Sequence, residues 1–269
     1  MTFRPLKQEH AIAEVVFGLT LARPWEPREL AHLEAGHDHW RAVLPRMSKI
    51  QSQQLLLGGP TGFPSFAPQD GLMFESFQLD GEVGWRLTCQ GNTLFLNCLV
   101  YTRWSEVWAT AREIMAKVAQ IGIDERDQGV QNLQLQYVDV FEWEGRTDEY
   151  DSRELLRAGS TFLSAQVTAG EVGHLWHHYS GWFESQDEPV PGQVLNRIHI
   201  DAVESIEGKP LVKFDATLRK DVVSPLPIAA IVHGPSLIDE VFSSLHEKNK
   251  ALMAEYLSDQ TLEKIGLLS

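Results

Sequence analysis

Residues 72–100 read LMFESFQLDGEVGWRLTCQGNTLFLNCLV and contain two dipeptides that favour tight hairpins, Asp80-Gly81 and Gly91-Asn92. With Asp80 and Gly81 at a tip, Leu79 opposes Glu82, Phe74 opposes Leu87 and Glu75 opposes Arg86. With Gly91 and Asn92 at the next tip, Cys89 opposes Leu94, Leu87 opposes Leu96 and Trp85 opposes Cys98. Cross-strand partners share a face. One face therefore collects Leu72, Phe74, Trp85, Leu87, Cys89, Leu94, Leu96 and Cys98. The other carries Glu75, Arg86, Thr88, Gln90, Thr93 and Asn97, with Met73, Phe77 and Phe95 as exceptions. Two independent turn signals that agree on one apolar face predict a three-stranded antiparallel meander. Cys89 and Cys98 fall on its core face but about 13 Å apart along it, too far for a disulfide.

Beyond the meander, Trp104, Trp108, Ala111, Met115 and Val118 form one helical stripe that ends near Gly122 and is expected to lie on the meander. Val130–Trp143 alternates as a long strand. Ahead of the meander, Ala11–Leu21 reads as a strand, Pro27–Leu44 as a helix interrupted near Gly36, Ser48–Leu57 as a strand and Gly58–Gly71 as a loop. An acid-rich stretch ending in GRTDEYDS (145–152) separates this half from a second one. There Val172–Glu184, Val194–Ser205 and Leu211–Arg219 read as strands, with Glu207-Gly208 in a turn and Pro225 and Pro227 in an extended segment. Ser236, with Asp239 as a capping-box-like partner, opens the last long helix, and Gln260–Ile265 forms a short one. The fold class expected is α+β: antiparallel sheet built from meanders, with long helices packed on one face. Two structurally similar halves, 1–148 and 149–269, are expected to pack as one unit.

The 269 residues suffice for a sizeable core without staples, and two cysteines without CxxC spacing exclude a disulfide scaffold. A formal net charge of −14 repels phosphate backbones and anionic lipids, which disfavours nucleic acid and membrane surfaces as partners. No apolar run is long enough to span a bilayer, and the charged N-terminus lacks a signal-peptide core, so a cytoplasmic location is expected.

Several segments recur in a recognisable order: Pro5-Leu6 with Ala13–Phe17, Leu44-Pro45, Trp104, the strand LQLQYVDVF (133–141) and the helix HGPSLIDEVFSSLHEKNKALM (233–253). Together they resemble a sporadically distributed family of bacterial proteins of similar length and unknown function. The resemblance implies a one-unit α+β fold and supplies no catalytic residues. The family's strand carries a Gly-Leu-Arg-Tyr-like run where this chain has Gln134-Leu135-Gln136-Tyr137, so no role for that arginine carries over.

The densest chemistry is the run His174-Leu175-Trp176-His177-His178. On a strand, His174, Trp176, His178 and Trp182 share one side, and Leu175, His177, Tyr179 and Phe183 the other. Two Trp and two His can stack on and hydrogen-bond to a flat ligand, so these four are the expected ligand-binding residues. A metal site there would need a third ligand from His199, Asp201 or Asp215; none is assigned, and no cofactor is expected. His32, Glu34, His37, Asp38 and His39 lie at a helix end, where the dipole favours histidine. Gly58–Gly62 lacks the GK[ST] ending of a phosphate loop, no GxSxG elbow occurs, and both cysteines face the core. The leading expectation is a non-enzymatic binding or accessory protein that engages a protein partner or a small ligand, with a homodimer left open. The alternatives are a metal-dependent hydrolase using His174 and His178, and an acidic inhibitor or decoy of a basic partner.

Overall fold

The computed structural model describes residues 2–7, 9–56, 65–123, 128–232 and 237–267, the side chains of 52–56 and 65–69 excepted. Its strands are β1 (Phe3–Pro5), β2 (Ile12–Leu21), β3 (Arg46–Leu56), β4 (Ser65–Phe77), β5 (Val83–Gln90), β6 (Thr93–Cys98), β7 (Gly129–Trp143), β8 (Trp176–Gln186), β9 (Gly192–Glu204) and β10 (Pro210–Pro227). The α-helices are α1 (Pro27–Ala35), α2 (Trp104–Gly122), α3 (Ala165–Thr168), α4 (Ala229–Val232), α5 (Leu237–Tyr256) and α6 (Asp259–Lys264). Strand neighbours run β3-β4-β5-β6-β2-β7-β10-β9-β8, with β1 also on β7. The protein is thus mixed helix and strand with a large antiparallel sheet of meanders.

The meander has the register read from its turns. Phe74 opposes Leu87, Glu75 opposes Arg86, Trp85 opposes Cys98, Leu87 opposes Leu96 and Cys89 opposes Leu94. Gln90 and Thr93 close the second tip on Gly91 and Asn92. The first tip differs by one residue. Gln78 N–H donates to the Glu82 carbonyl at 2.8 Å and Gly81 N–H to the Gln78 carbonyl at 3.0 Å, so Leu79, Asp80 and Gly81 form the turn, with Gly81 left-handed at φ +89°. The extra residue is absorbed by a register shift between Ser76 and Phe77, where Ser76 Oγ accepts the Trp85 N–H at 3.0 Å. Leu72, Phe74, Leu87, Cys89, Leu94, Leu96 and Cys98 are buried, Trp85 only partly, and both cysteines are free. Burial pushes the Cys89 thiol up, away from a reactive thiolate.

Two further expectations are corrected. β4 begins inside the stretch read as a loop, because its residues 65–71 pair with β3. β10 runs on through Pro225 and Pro227 as strand rather than ending near Arg219.

Two compact units divide the chain: residues 1–15, 134–221 and 240–269, called unit 1, and residues 16–133 and 222–239, called unit 2. The division falls inside β2, β7, β10 and α5. In unit 2, Pro27 opens α1 at its first position, where the missing N–H costs nothing, and the Glu29 carboxylate accepts the Glu26 N–H at 2.9 Å. Gly122 of α2 lies so close to Leu33 of α1 that a Cβ there would come within 2.3 Å of the leucine side chain. Trp108 stacks parallel to Trp104 at 5.8 Å, and both rings contact Phe17. Asp239 accepts hydrogen bonds from Trp108 Nε1 at 3.0 Å and from Arg112 Nε, so it serves as an anchor for α2; Ser236 lies outside the described residues. In unit 1, Phe3, Phe141, Trp143, Ile198, Ile200, Phe214, Met253, Tyr256 and Leu262 belong to one buried cluster.

Candidate functional site

The unit 1 hairpin β8–β9 holds the expected site. Its register sets Trp176 opposite Ala202, His178 opposite Ile200, Trp182 opposite Asn196 and Glu184 opposite Val194. Because Val194, Asn196, Ile198, Ile200 and Ala202 are buried, the even-numbered row of β8 faces the core. Trp176 and Trp182 pack against the core cluster. Trp176 Nε1 donates to Tyr150 Oη at 3.1 Å. Trp182 stacks on Phe162 with 5.2 Å between centroids, and its Nε1 donates to Glu184 at 2.7 Å. A hydrogen bond from Lys248 is the main reason the Glu184 carboxyl is held below the usual range. His178 lies against Tyr256; its Nε2 is buried without a hydrogen-bond partner, and burial lowers its pKa. His174 precedes the strand and pairs with Glu204 at 2.7 Å beside Tyr150. The structure thus brings Trp176, His178 and Trp182 into one row, partly buried and largely occupied by contacts within the chain.

The odd-numbered row is the open one. Leu175, Tyr179 and Phe183 are 61%, 63% and 56% exposed, and Val203 of β9 is 40% exposed. Tyr179 opposes His199, His177 opposes Asp201 and Gly181 opposes Arg197. Gly181 puts no side chain beside Arg197, which therefore lies between the Tyr179 and Phe183 positions. Arg197 donates to Thr217 Oγ1 at 2.7 Å, and among the described residues no carboxylate pairs with it. His199 Nε2 is 3.1 Å from Asp201 and its ring meets the edge of Tyr179.

This parity bears on the metal alternative. His178 leaves the core face, whereas His199 and Asp201 leave the open face with Tyr179 and His177. Asp215 belongs with the open face, since Thr217, the partner of Arg197, donates to it at 3.4 Å. Among the described residues no group of three His, Cys, Asp or Glu is arranged to hold a metal.

Residue reading missed the polar groups buried in unit 1. Tyr137 Oη is 2.8 Å from His246 Nδ1, and burial lowers the His246 pKa to about 4. Asp139, two residues along the same row of β7, is buried and pushed up to about 7 by burial. Lys220 is buried as well and donates to the Gln186 carbonyl at 2.6 Å. Their signal was present as charge on the apolar side of alternating strands: Asp139 between Tyr137 and Phe141, and Lys220 after Leu218. In unit 2, His37 is a core residue instead of a solvated helix end. Its Nε2 is 2.7 Å from the Leu44 carbonyl and its ring packs on Phe74 and Trp40. A cavity of about 520 Å³ lies between α1 and the β3–β4 ladder. Its polar groups pair with one another, Lys49 with Glu34 at 2.9 Å and Gln51 with Asp70 at 3.0 Å. The phosphate-loop candidate, Gly58–Gly62, lies outside the described residues.

Comparison with known proteins found no matching family model, no matching curated protein and no matching solved structure. No helix among the described residues is long and apolar enough to cross a membrane.

Proposed function

We propose that this is a non-enzymatic binding or accessory protein that meets a protein partner through β8 and the open face of the β8–β9 hairpin. One observation carries the reading. Tyr179 and Phe183 of β8, Leu175 just before it and Val203 of β9 are large apolar side chains exposed on the hairpin. Large apolar side chains repeated along one exposed face, here interleaved with His177, Arg197 and His199, are the material of interaction sites. The residue types add support, since aromatic rings and arginine are enriched at protein interfaces and Arg197 lies between Tyr179 and Phe183. The partly buried row of His174, Trp176, His178 and Trp182 then supports the strand from behind.

The test is a photo-crosslinking amino acid placed at Tyr179 and, as control, at Ile206, which is fully exposed in a turn outside the hairpin ladder. Discrete adducts are expected from position 179 and not from 206. Equal labelling from both positions, or none from 179, would remove the reading.

A further inference from the structure

β8 ends the strand order, and among the described residues only β9 pairs with it. An open edge of this kind offers a row of backbone N–H and C=O groups to another strand. Proteins usually blunt such edges with Lys, Pro, bulges or short length. β8 is 11 residues long, WHHYSGWFESQ, without Lys, Arg or Pro, and pairs with β9 without a register shift; its one carboxylate, Glu184, points inward and is already held by Lys248 and Trp182. The opposite end of the strand order is guarded, since β3 carries Arg46 and Lys49.

We propose that the β8 edge binds β8 of a second copy of this chain, antiparallel and centred on Gly181. This rests on the reading of β8 as the interaction strand and names its occupant. Gly181 is the midpoint of β8, so pairing about it overlaps the strands over their whole length, roughly 36 Å at strand rise. The same register makes both rows self-complementary. On the open row, Tyr179 opposes Phe183 of the partner subunit, and by symmetry Phe183 opposes Tyr179 of the partner subunit, giving two aromatic cross-strand pairs. Gly181 opposes the partner's Gly181, so no side chains collide at the axis. On the core-side row, Trp182 opposes the partner's Ser180 and His178 opposes the partner's Glu184. Hydrogen-bonding character follows the same order: the imidazoles of His174, His177 and His178 lie at one end of the strand region, and the carboxylates of Glu184, Asp187 and Glu188 at the other. Antiparallel pairing sets the histidine end of each copy beside the acidic end of the other. Moving the centre by one residue, to Ser180, breaks this match. Tyr179 would then oppose the partner's Gly181, and Trp176 would oppose the partner's Glu184. Side-chain complementarity therefore selects a second copy over an unrelated strand.

The experiment is sedimentation of the full chain over a concentration series, with three variants checked by circular dichroism for retained fold. The parent is expected to form a dimer. Tyr179→Lys removes both aromatic pairs and should weaken association about tenfold or more. Adding Phe183→Glu to it places Lys opposite Glu twice in the proposed register and should restore the dimer. Ile206→Lys should leave the mass unchanged. A parent that stays monomeric up to about 100 μM would overturn the proposal. Adducts from position 179 to a different protein would then leave the docking role of β8 standing without a second copy. A dimer indifferent to Tyr179→Lys, or one the double variant fails to restore, would overturn the edge or its register.

Discussion

The meander of unit 2 and the hairpin of unit 1 are built alike, as adjacent antiparallel strands with alternating rows, yet they distribute polarity in opposite ways. In β4–β6 the hidden row is Leu72, Phe74, Leu87, Cys89, Leu94 and Leu96, all buried, and β5 and β6 show mainly Arg86, Thr88, Gln90, Thr93 and Asn97 outside. In β8 the core-side row holds His178 and Ser180 between its tryptophans and Glu184 beyond them, while Tyr179 and Phe183, with Leu175 just before the strand, stand in solvent. Folding accounts for the first arrangement, because apolar area leaves water. It does not account for the second, since exposed rings contribute little to stability and invite association. The difference separates a surface that folding accounts for from one that it does not.

The comparison breaks first at Phe74. Phe74→Ala should lower unfolding free energy by about 3–5 kcal/mol in denaturant melts, the usual cost of deleting a fully buried aromatic side chain. A loss below about 1 kcal/mol would mean that the meander face is not the packed one.

Next comes the polar interior of unit 1, which has no counterpart on the buried row of the meander. The Asp139 carboxyl is raised from its ordinary value to about 7 by burial. A raised carboxyl holds its proton more tightly in the folded chain than in the unfolded one, so its contribution to stability falls as pH climbs from about 4 to about 7. Asp139→Asn keeps the shape and removes the ionisation. The variant should exceed the parent by about 3–4 kcal/mol at pH 8 and match it near pH 4. Equal stabilities at pH 8 would show that water or a cation reaches Asp139.

The smallest effect on stability is expected on the open row. Tyr179→Ala and Phe183→Ala should each change unfolding free energy of the monomer by no more than about 0.5 kcal/mol, as for ordinary surface positions. Melts are to be taken at dilutions where association is negligible. A loss comparable to that of Phe74→Ala would place the row inside a core and end the contrast.

The meander was legible because three local signals agreed on it: two turn dipeptides, strict alternation and cross-strand matching of apolar residues. Only the three-residue tip at Leu79–Gly81 escaped, since a one-residue bulge leaves alternation intact on either side. β10 was cut short because Pro225 and Pro227 read as punctuation, although strand geometry tolerates proline wherever a ladder N–H is not needed. The interleaving of the two units was not legible, because it depends on long-range strand partners that local periodicity does not encode. At the candidate site the rows of β8 were legible and their direction was not. Both rows contain aromatic residues, so hydrophobicity alone cannot say which faces inward. β9 settles it: Val194, Ile198, Ile200 and Ala202 alternate with Gln193, Arg197, His199 and Asp201, and only the first set can be the core side.

The buried Asp139 and His246 of unit 1 have a joint effect on the chemistry of unfolding. Between about pH 5 and 6 the folded chain keeps Asp139 protonated and His246 neutral. The unfolded chain, where both groups return to ordinary values, has the carboxylate ionised and the imidazole protonated. The two groups together carry one proton in either state. Unfolding in this window therefore hands a proton from Asp139 to His246 and exchanges none with solvent on their account. Each group perturbs stability, yet together they leave no slope against pH, and the heat they contribute is the same in acetate as in a buffer of large ionisation enthalpy. Asp139→Asn uncouples them. Its unfolding should then take up close to one proton near pH 5, between the folded and unfolded values of His246, and about half of one near pH 4 and near pH 6.5, which calorimetry in paired buffers reads directly.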